Sequence, residues 1–276
     1  MSKVVLITGC STGIGRDLAI RLSESGYAVV ATARDPETLI NLEAALKLPL
    51  DVTQTDSVRS AVECTLQLLG RIDVLVNNAG YAIRGAIEET SERQVQEMFD
   101  TNVFGVMRLV RAVVPPMREQ KAGCIINVSS IAGKRSTPAN GAYSASKFAL
   151  EALSDALRLE LAPFGIKVVV IEPGSIRTHF MTTAIAHTPE QALSANSPYR
   201  MLYRQSELFA EGMQRHQSGP EAVSRVIQQV IETDKPKARY LVAIPLSGRL
   251  ILYLGDSFWD YALRRMFPSS AVASHE

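Results

Sequence analysis

The 276-residue chain has only three cysteines and four histidines. Cys10, Cys64 and Cys124 are odd in number, far apart and without a CxxC pair, which excludes a disulfide scaffold and a structural zinc site. Free thiols in a reducing compartment are expected instead. His179, His187, His216 and His275 are equally scattered, so no metal site is expected. Charge of one sign is lacking too. Lys and Arg number 29 against 28 Asp and Glu, a net +1, which argues against a protein that binds nucleic acid by neutralising phosphates. A local basic pocket for one phosphate stays compatible with that balance. Long apolar runs are also absent. The first run, Val4-Val5-Leu6-Ile7, passes at once into glycine-rich polar chain, too short for a signal peptide. The late run at 250–254 stops at Gly255-Asp256, well below the ~20 residues a bilayer span needs. A soluble cytoplasmic protein without a transmembrane span is expected. No Pro/Ser/Gly-rich linker divides the chain, so one domain over 1–276 is expected.

What is present is an alternation of short β-branched runs with helical periods. Strands are predicted over 4–8, 27–33, 48–50, 72–76, 124–128, 167–171 and 240–244. Helices are predicted over 14–25, 36–45, 57–69, 142–161 and 220–232, with one or two more over 91–119. Leu39, Leu42 and Leu46 form the stripe of the second helix. Strands that are apolar throughout belong to a parallel sheet covered on both faces. Repeated βα units imply right-handed crossovers and an open, doubly wound α/β sheet. Residues 175–218 break the pattern as a polar, irregular insertion with apolar islands, read as a substrate-binding loop or lid. Residues 246–276 form a C-terminal extension.

The chemistry-bearing residues fall at the ends of the predicted strands. Thr8-Gly9-Cys10-Ser11-Thr12-Gly13-Ile14-Gly15 joins the first strand to the first helix. Glycines there permit a tight turn and bring backbone N–H groups and the positive end of a helix against a pyrophosphate. Tyr143 and Lys147 are four apart and share a helix face. A free phenol, with a pKa near ~10, is a poor base at neutral pH. A neighbouring ammonium favours the phenolate, which suits proton transfer to or from an alcohol oxygen. Ser129 and Ser130 are neighbours, and either has a hydroxyl that could orient that same oxygen.

The spacing GxxxGxG departs from the dinucleotide fingerprint GxGxxG. With Asp51, Asn77-Asn78-Ala79-Gly80, Asn102, Ser129-Ser130, Tyr143-x-x-x-Lys147 and Pro173-Gly174-Ser175-Ile176-Arg177-Thr178 in order over about 3–245, it resembles the short-chain dehydrogenase/reductase family. The look is closest to the hydroxysteroid and retinol dehydrogenase branch. The resemblance implies a Rossmann-like domain with Asn102, Ser130, Tyr143 and Lys147 as catalytic residues. It implies a nicotinamide cofactor held by Gly9, Ser11, Thr12, Gly13, Ile14, Gly15, Arg34, Asp51, Val52, Asn78, Ala79, Gly80, Tyr143, Lys147, Pro173, Gly174, Ile176 and Thr178. Asn102 would help hold a water joining Lys147 to solvent, and Lys147 would also bind the nicotinamide ribose. Asn77 is read as a tie between strands, and Ser129 as a local structural residue. The resemblance also implies a homodimer or homotetramer.

Cofactor choice is read at the end of the second strand, Ala31-Thr32-Ala33-Arg34-Asp35. An acid there pairs with the ribose hydroxyls of NAD and repels a 2′-phosphate. Ala33 leaves that place without an acid, and the Arg34 fork matches a phosphate, so NADP is expected over NAD. Asp35 either pairs with Arg34 or turns to solvent. On the substrate side, Phe180, Met181, Tyr199, Met201, Leu202, Tyr203, Leu208, Phe209 and Met213 suit a greasy, adaptable pocket. Arg200 and Arg204 either meet an acidic head group or face solvent. Trp259, Leu263, Met266 and Phe267, with Arg264 and Arg265 between, form a stretch that packs on the protein or touches a membrane surface. The expected activity is that of an NADP-dependent carbonyl reductase acting on a lipophilic ketone, aldehyde or alcohol. The alternatives are a steroid-, retinoid- or lipid-specific alcohol dehydrogenase at a membrane surface, and a non-catalytic NADP-binding regulator.

Overall fold

The computed structural model describes residues 2–194, 196–214, 217–245, 248, 249, 252 and 254–267. His216, His275, residues 268–276 and most of the apolar run 250–254 lie outside them, as do the side chains of Phe209 and Met213. Seven strands, β1 (Val4–Ile7), β2 (Ala28–Ala33), β3 (Leu46–Pro49), β4 (Val74–Asn77), β5 (Gly123–Val128), β6 (Ile166–Pro173) and β7 (Arg239–Val242), form one parallel sheet in the order β3-β2-β1-β4-β5-β6-β7. All residues of β1 and β4 are buried, because helices cover both faces.

On one face, Leu18 and Leu22 of α1 (Gly13–Glu24) meet Val223, Ile227 and Val230 of α9 (Glu221–Glu232). On the other, Val58 and Val62 of α2 (Thr55–Leu69), Leu109 and Val113 of α4 (Gly105–Glu119) and Leu150 of α5 (Gly141–Leu161) fill the core. Spacings of three and four residues put each set on one helix stripe. The order reverses between β1 and β4, so the chain leaves β1 and β4 toward opposite faces. A crevice opens there, at the carboxyl ends of the strands.

Three segments differ from the reading of the sequence. The helix expected over 36–45 is a single 3-10 turn, Pro36–Leu39. Asp35 caps it, accepting from Glu37 N at 3.0 Å. Leu39 and Leu42 both enter the core, and Leu46 begins β3, so one turn suffices to join neighbouring strands. The stretch 91–119 is α3 (Glu92–Phe99), a π-helical segment Asp100–Phe104, and α4. The insertion 175–218 is not irregular. It carries α6 (Phe180–Ala186), α7 (Glu190–Leu193) and α8 (Arg200–Gln214). Phe180 and Met181 fall in α6, and Met201, Leu202, Tyr203 and Leu208 in α8. A last helix, α10 (Asp256–Met266), lies in the C-terminal extension.

The approach of α1 to the sheet edge depends on Gly15. A Cβ there would lie 2.2 Å from the Gly9 carbonyl oxygen and 2.5 Å from Asn78 Nδ2. Gly15→Ala should therefore cost about 1–3 kcal/mol, read as a lower thermal midpoint by roughly 2–4 °C per kcal/mol. Gly212→Ala in α8, where nothing lies within 4 Å of an added Cβ, should leave the midpoint unchanged or raise it.

Candidate active site

Chain leaving β1 turns through Gly9 and Gly13, whose φ values of +73° and +60° favour glycine. A Cβ on Gly9 would sit 3.0 Å from Ala79 Cα, and one on Gly13 3.3 Å from Thr178 Cβ, so this turn is the meeting point of three loops. Hydrogen bonds lock it. Thr8 Oγ1 accepts from Asn78 N and Ala79 N, both at 3.0 Å. Asn78 Nδ2 donates to Thr8 O at 2.9 Å and Gly9 O at 3.1 Å. Thr12 opens α1 without a side-chain cap, which leaves the first backbone N–H groups facing the cleft. That arrangement fits an anionic pyrophosphate.

The cleft above this turn has a volume of about 810 Å³. Gly9, Ser11, Thr12, Gly13, Ile14, Arg34, Asp51, Val52, Asn78, Ala79, Gly80, Ser130, Tyr143, Lys147, Pro173, Gly174, Ile176 and Thr178 all line it. Gly15 does not line it; it packs beneath the turn, and its part in holding a cofactor is indirect. Asn102 also sits behind the wall. At the ends of β2 and β3, Arg34 is exposed, with no carboxylate at ion-pair distance among the described residues. Asp35 neither pairs with Arg34 nor lines the cleft; it caps the 3-10 turn. Asp51 Oδ1 is held by Thr53 N at 2.9 Å and Thr53 Oγ1 at 2.8 Å. Glu97 and Asp100, which also line the cleft, are engaged by Arg93 at 2.8 Å and Arg108 at 2.6 Å.

At the other end, α5 brings Tyr143 and Lys147 side by side, both buried. Lys147 Nζ donates to Val128 O at 2.9 Å and lies 5.8 Å from the Tyr143 ring centroid. Ser130, at the end of β5, accepts from Ala132 N at 3.1 Å through its side chain. Burial pushes the Tyr143 phenol up to about 12, with the Ser130 hydroxyl acting the other way. Burial pushes Lys147 down to about 8, opposed by Glu151. The lowering of the phenol expected from Lys147 is therefore not what the chain's own groups produce. Desolvation dominates both and favours a neutral phenol.

Asn102 reaches this end through the π segment. Its amide donates to Tyr81 O at 2.8 Å and Ser146 Oγ at 3.1 Å, and its Oδ1 accepts from Tyr81 N at 3.1 Å. The extra residue of a π turn rotates Asn102 inward, a common placement at functional sites. Asn77 ties β4 to β5 through Asn127 Oδ1 at 2.8 Å, and Asn127 in turn reaches Ser154 Oγ at 2.8 Å. Ser129 is buried, and its backbone N–H joins β6 through Ile171 O at 2.8 Å.

Among the apolar residues expected to meet substrate, Phe180 and Met181 line the cleft, with the Phe180 ring 5.5 Å from that of Tyr143. Tyr203 instead braces the insertion, donating to Glu89 at 2.6 Å and accepting from Ala86 N at 2.8 Å. Tyr199 bonds Glu88, and with Leu202 it lines a second groove beside Trp259. Met201 and Leu208 are exposed, as are Arg200 and Arg204. Unforeseen cleft residues are Tyr81, Ile83, His179 and His187, with His187 stacked 4.7 Å from Tyr81. Only Tyr81 had a sequence signal, following directly on Asn77-Asn78-Ala79-Gly80. Trp259 of α10 donates to Ser136 O at 3.0 Å and stacks with Arg135, so this helix packs on its own chain.

The chain matches the family model described as short chain dehydrogenase over residues 3–189. It is 39% identical over 266 residues to the 3-ketodihydrosphingosine reductase of Bacteroides thetaiotaomicron, covering 95% of this chain and 97% of that one. It is 37% identical over 271 residues to Homo sapiens retinol dehydrogenase 8, covering 92% and 86%. Among solved structures, a short chain dehydrogenase/reductase of Burkholderia phymatum in complex with NAD superposes with a TM-score of 0.80 at 25% identity, covering 95% of each chain. A metagenomic short-chain oxidoreductase in complex with NADP does so at 0.68 and 27%, covering 88% and 97%.

The buried lysine has a consequence for stability. With the folded value at about 8 against 10.5 ordinarily, the unfolded chain binds more protons in that window. Stability contributed by this site therefore rises with pH between those values. Relative to Lys147→Met, the wild type should gain up to about 3 kcal/mol from pH 7 to pH 10. Denaturant midpoints of both proteins across that range check it.

Proposed function

Since the chain belongs to the short-chain dehydrogenase family, an oxidoreductase family, we propose that it is an NADP(H)-dependent carbonyl reductase for lipophilic ketones or aldehydes. The observation that carries this reading is the convergence of Ser130, Tyr143 and Lys147 in the cleft whose floor is the glycine turn. The nicotinamide, when bound, supplies the hydride. The neutral Tyr143 phenol is the proton donor to the carbonyl oxygen, and Ser130 hydrogen-bonds that oxygen. Lys147 holds the ribose hydroxyls and, with Asn102 behind it, returns the proton. The glycine turn and the open N-terminus of α1 take the pyrophosphate. Asp51, Val52, Asn78, Ala79 and Gly80 take the adenosine half, and Pro173, Gly174, Ile176 and Thr178 the nicotinamide half.

Similar structures hold NAD or NADP, so the choice between them rests on this chain's residues. Ala33 places no acid at the end of β2, Arg34 is unpaired by any described carboxylate, and Asp35 is occupied as a cap. These features favour a 2′-phosphate. The wall formed by Tyr81, Ile83, Phe180 and Met181 supports a lipophilic substrate, with the insertion 175–218 as the substrate-binding element. A relative named 3-ketodihydrosphingosine reductase agrees with that class. A second reading, a lipid alcohol dehydrogenase at a membrane surface, is favoured by exposed Phe258, Tyr261 and Met266 beside Arg264 and Arg265 on α10. Among the described residues no helix is long and apolar enough to cross a membrane. Exposed Phe104 at the start of α4, with Phe148 and Leu159 on α5, supports a homodimer or homotetramer, and cytoplasmic location is part of this reading.

Tyr143→Phe should keep NADPH affinity and lower kcat by about 10²–10⁴-fold with a reducible ketone. A variant with more than a tenth of wild-type kcat would overturn the role of Tyr143. For the cofactor, Arg34→Ala should weaken NADPH by about ten- to a hundredfold, the equivalent of one charge-assisted contact, and leave NADH unchanged. Comparing kcat/KM for both cofactors checks it, and an unchanged NADPH/NADH ratio would remove Arg34 from the site.

A further inference from the structure

Behind Lys147 lies a cluster of charge that the reaction as described does not use. Glu151 is one turn further along α5, on the same helix face as Lys147. Its Oε2 lies 3.2 Å from Lys134 Nζ and 3.0 Å from Arg239 Nε. Glu172 of β6, immediately before Pro173, has Oε1 at 3.3 Å from the same two cations. Arg239 of β7 also holds Asp155 of α5 at 2.7 Å. Glu151 and Glu172 are buried at 5% and 2% exposure. Lys134 follows the turn that Ser130 opens. Elements bearing Ser130, Tyr143 with Lys147, and Pro173-Gly174 thus meet in one ionic cluster.

Stability alone gives little reason for such an arrangement. Burying two carboxylates against two shared cations costs desolvation that apolar packing avoids. Glu151 is also incompletely satisfied. Its Oε1 is buried with no hydrogen-bond partner among the described residues. Close packing brings it to the catalytic wall. A Cβ on Gly133 would stand 3.1 Å from both Glu151 Cγ and Lys147 O, and 3.0 Å from Ser129 Oγ. Lys147, by contrast, has a neutral hydrogen-bond partner, the Val128 carbonyl.

We propose that Glu151 is a positioning residue that acts through Lys147, its carboxylate, fixed by Lys134 and Arg239, keeping the buried ammonium charged where the cofactor ribose binds. The inference rests on the cofactor reading above. The other charges facing this region are Asp155 and its partner Arg158 on α5, 2.7 Å apart, Lys134 on the Ser130 turn, Glu172 on β6 and Arg239 on β7, with neutral Tyr143 beside Lys147. Counting Lys147 and Glu151, four cations face three carboxylates. Burial drives Lys147 toward neutrality and Glu151 opposes it. Loss of the Glu151 charge therefore moves deprotonation of Lys147 to lower pH. Burial and repulsion by Glu151 raise the proton affinity of Glu172. Glu172 lies on β6 rather than on the α5 face that Lys147 shares with Glu151, so Glu151 is the counter-charge carried by the same helix as the ammonium.

The test is NADPH binding, read by cofactor fluorescence from pH 6 to 10, with circular dichroism to verify folding. In Glu151→Gln the pH at which binding is half lost should fall by about one unit. Glu151→Asp, which keeps the charge, should retain the wild-type midpoint, and Glu172→Gln should shift it much less than Glu151→Gln. The charge-balanced double variant Glu151→Gln/Lys134→Gln covers the case in which the single variant does not fold, and its midpoint should fall in the same direction. A folded Glu151-neutral variant with the wild-type midpoint, or an equal shift in Glu172→Gln, overturns the proposal. A wild type that binds neither NADPH nor NADH at any pH refutes the cofactor reading itself.

Discussion

The closeness of α1 to the loop after β4 governs the geometry at the carboxyl edge of the sheet. Gly15 and Gly9 carry no side chain, so Asn78 can lie against the turn and donate to two of its carbonyls. Through that contact the turn, the β4 loop and the segment around Thr178 share one surface. Any side chain at Gly15 would move the helix whose first N–H groups face the cleft. The glycine turn and the strand-end loops are therefore one mechanical unit rather than separate motifs.

A second constraint is desolvation. Tyr143 and Lys147 are buried together, and burial pushes them in opposite directions, the phenol up and the ammonium down. Both shifts favour the neutral forms. A neutral phenol is suited to donating a proton to a carbonyl. A lysine near neutrality needs a counter-charge if it is to grip ribose hydroxyls as an ammonium, and the carboxylate nearest along its own helix face is Glu151. Glu151 of the ionic cluster and the Tyr143–Lys147 pair share the helix α5, so a change in one reaches the other within a single turn.

The site was legible in the sequence where local spacing sets the geometry. Tyr143 and Lys147 must share a face because they are four apart on a helix. The glycine turn must face the crevice because it links a buried strand to a covering helix. Asn102 falls in the long helical stretch that the sequence predicts, but its inward direction comes from the π turn, which periodicity does not reveal. The role of Asp35 was open between an ion pair and solvent. It resolved as a cap because the link to β3 makes only one 3-10 turn. Residues 175–218 read as irregular because polar stretches separate the apolar positions of their three helices.

The order of the elements, the parallel sheet and the identity of the chemical groups follow from the chain's spacing and patterning alone. Those depend on nearest-neighbour spacing and on which runs are apolar throughout. Tertiary structure alone decided which distant groups share a dielectric environment. Lys134, Glu151, Glu172 and Arg239 are spread over more than a hundred residues of chain and meet only because β5, β6, β7 and α5 pack side by side. Phe180 meets Tyr143, and Tyr199 does not, because α6 covers the cleft while Tyr199 turns to a neighbouring groove. Proton affinity follows burial and the charges packed nearby, and neither is a property of spacing along the chain.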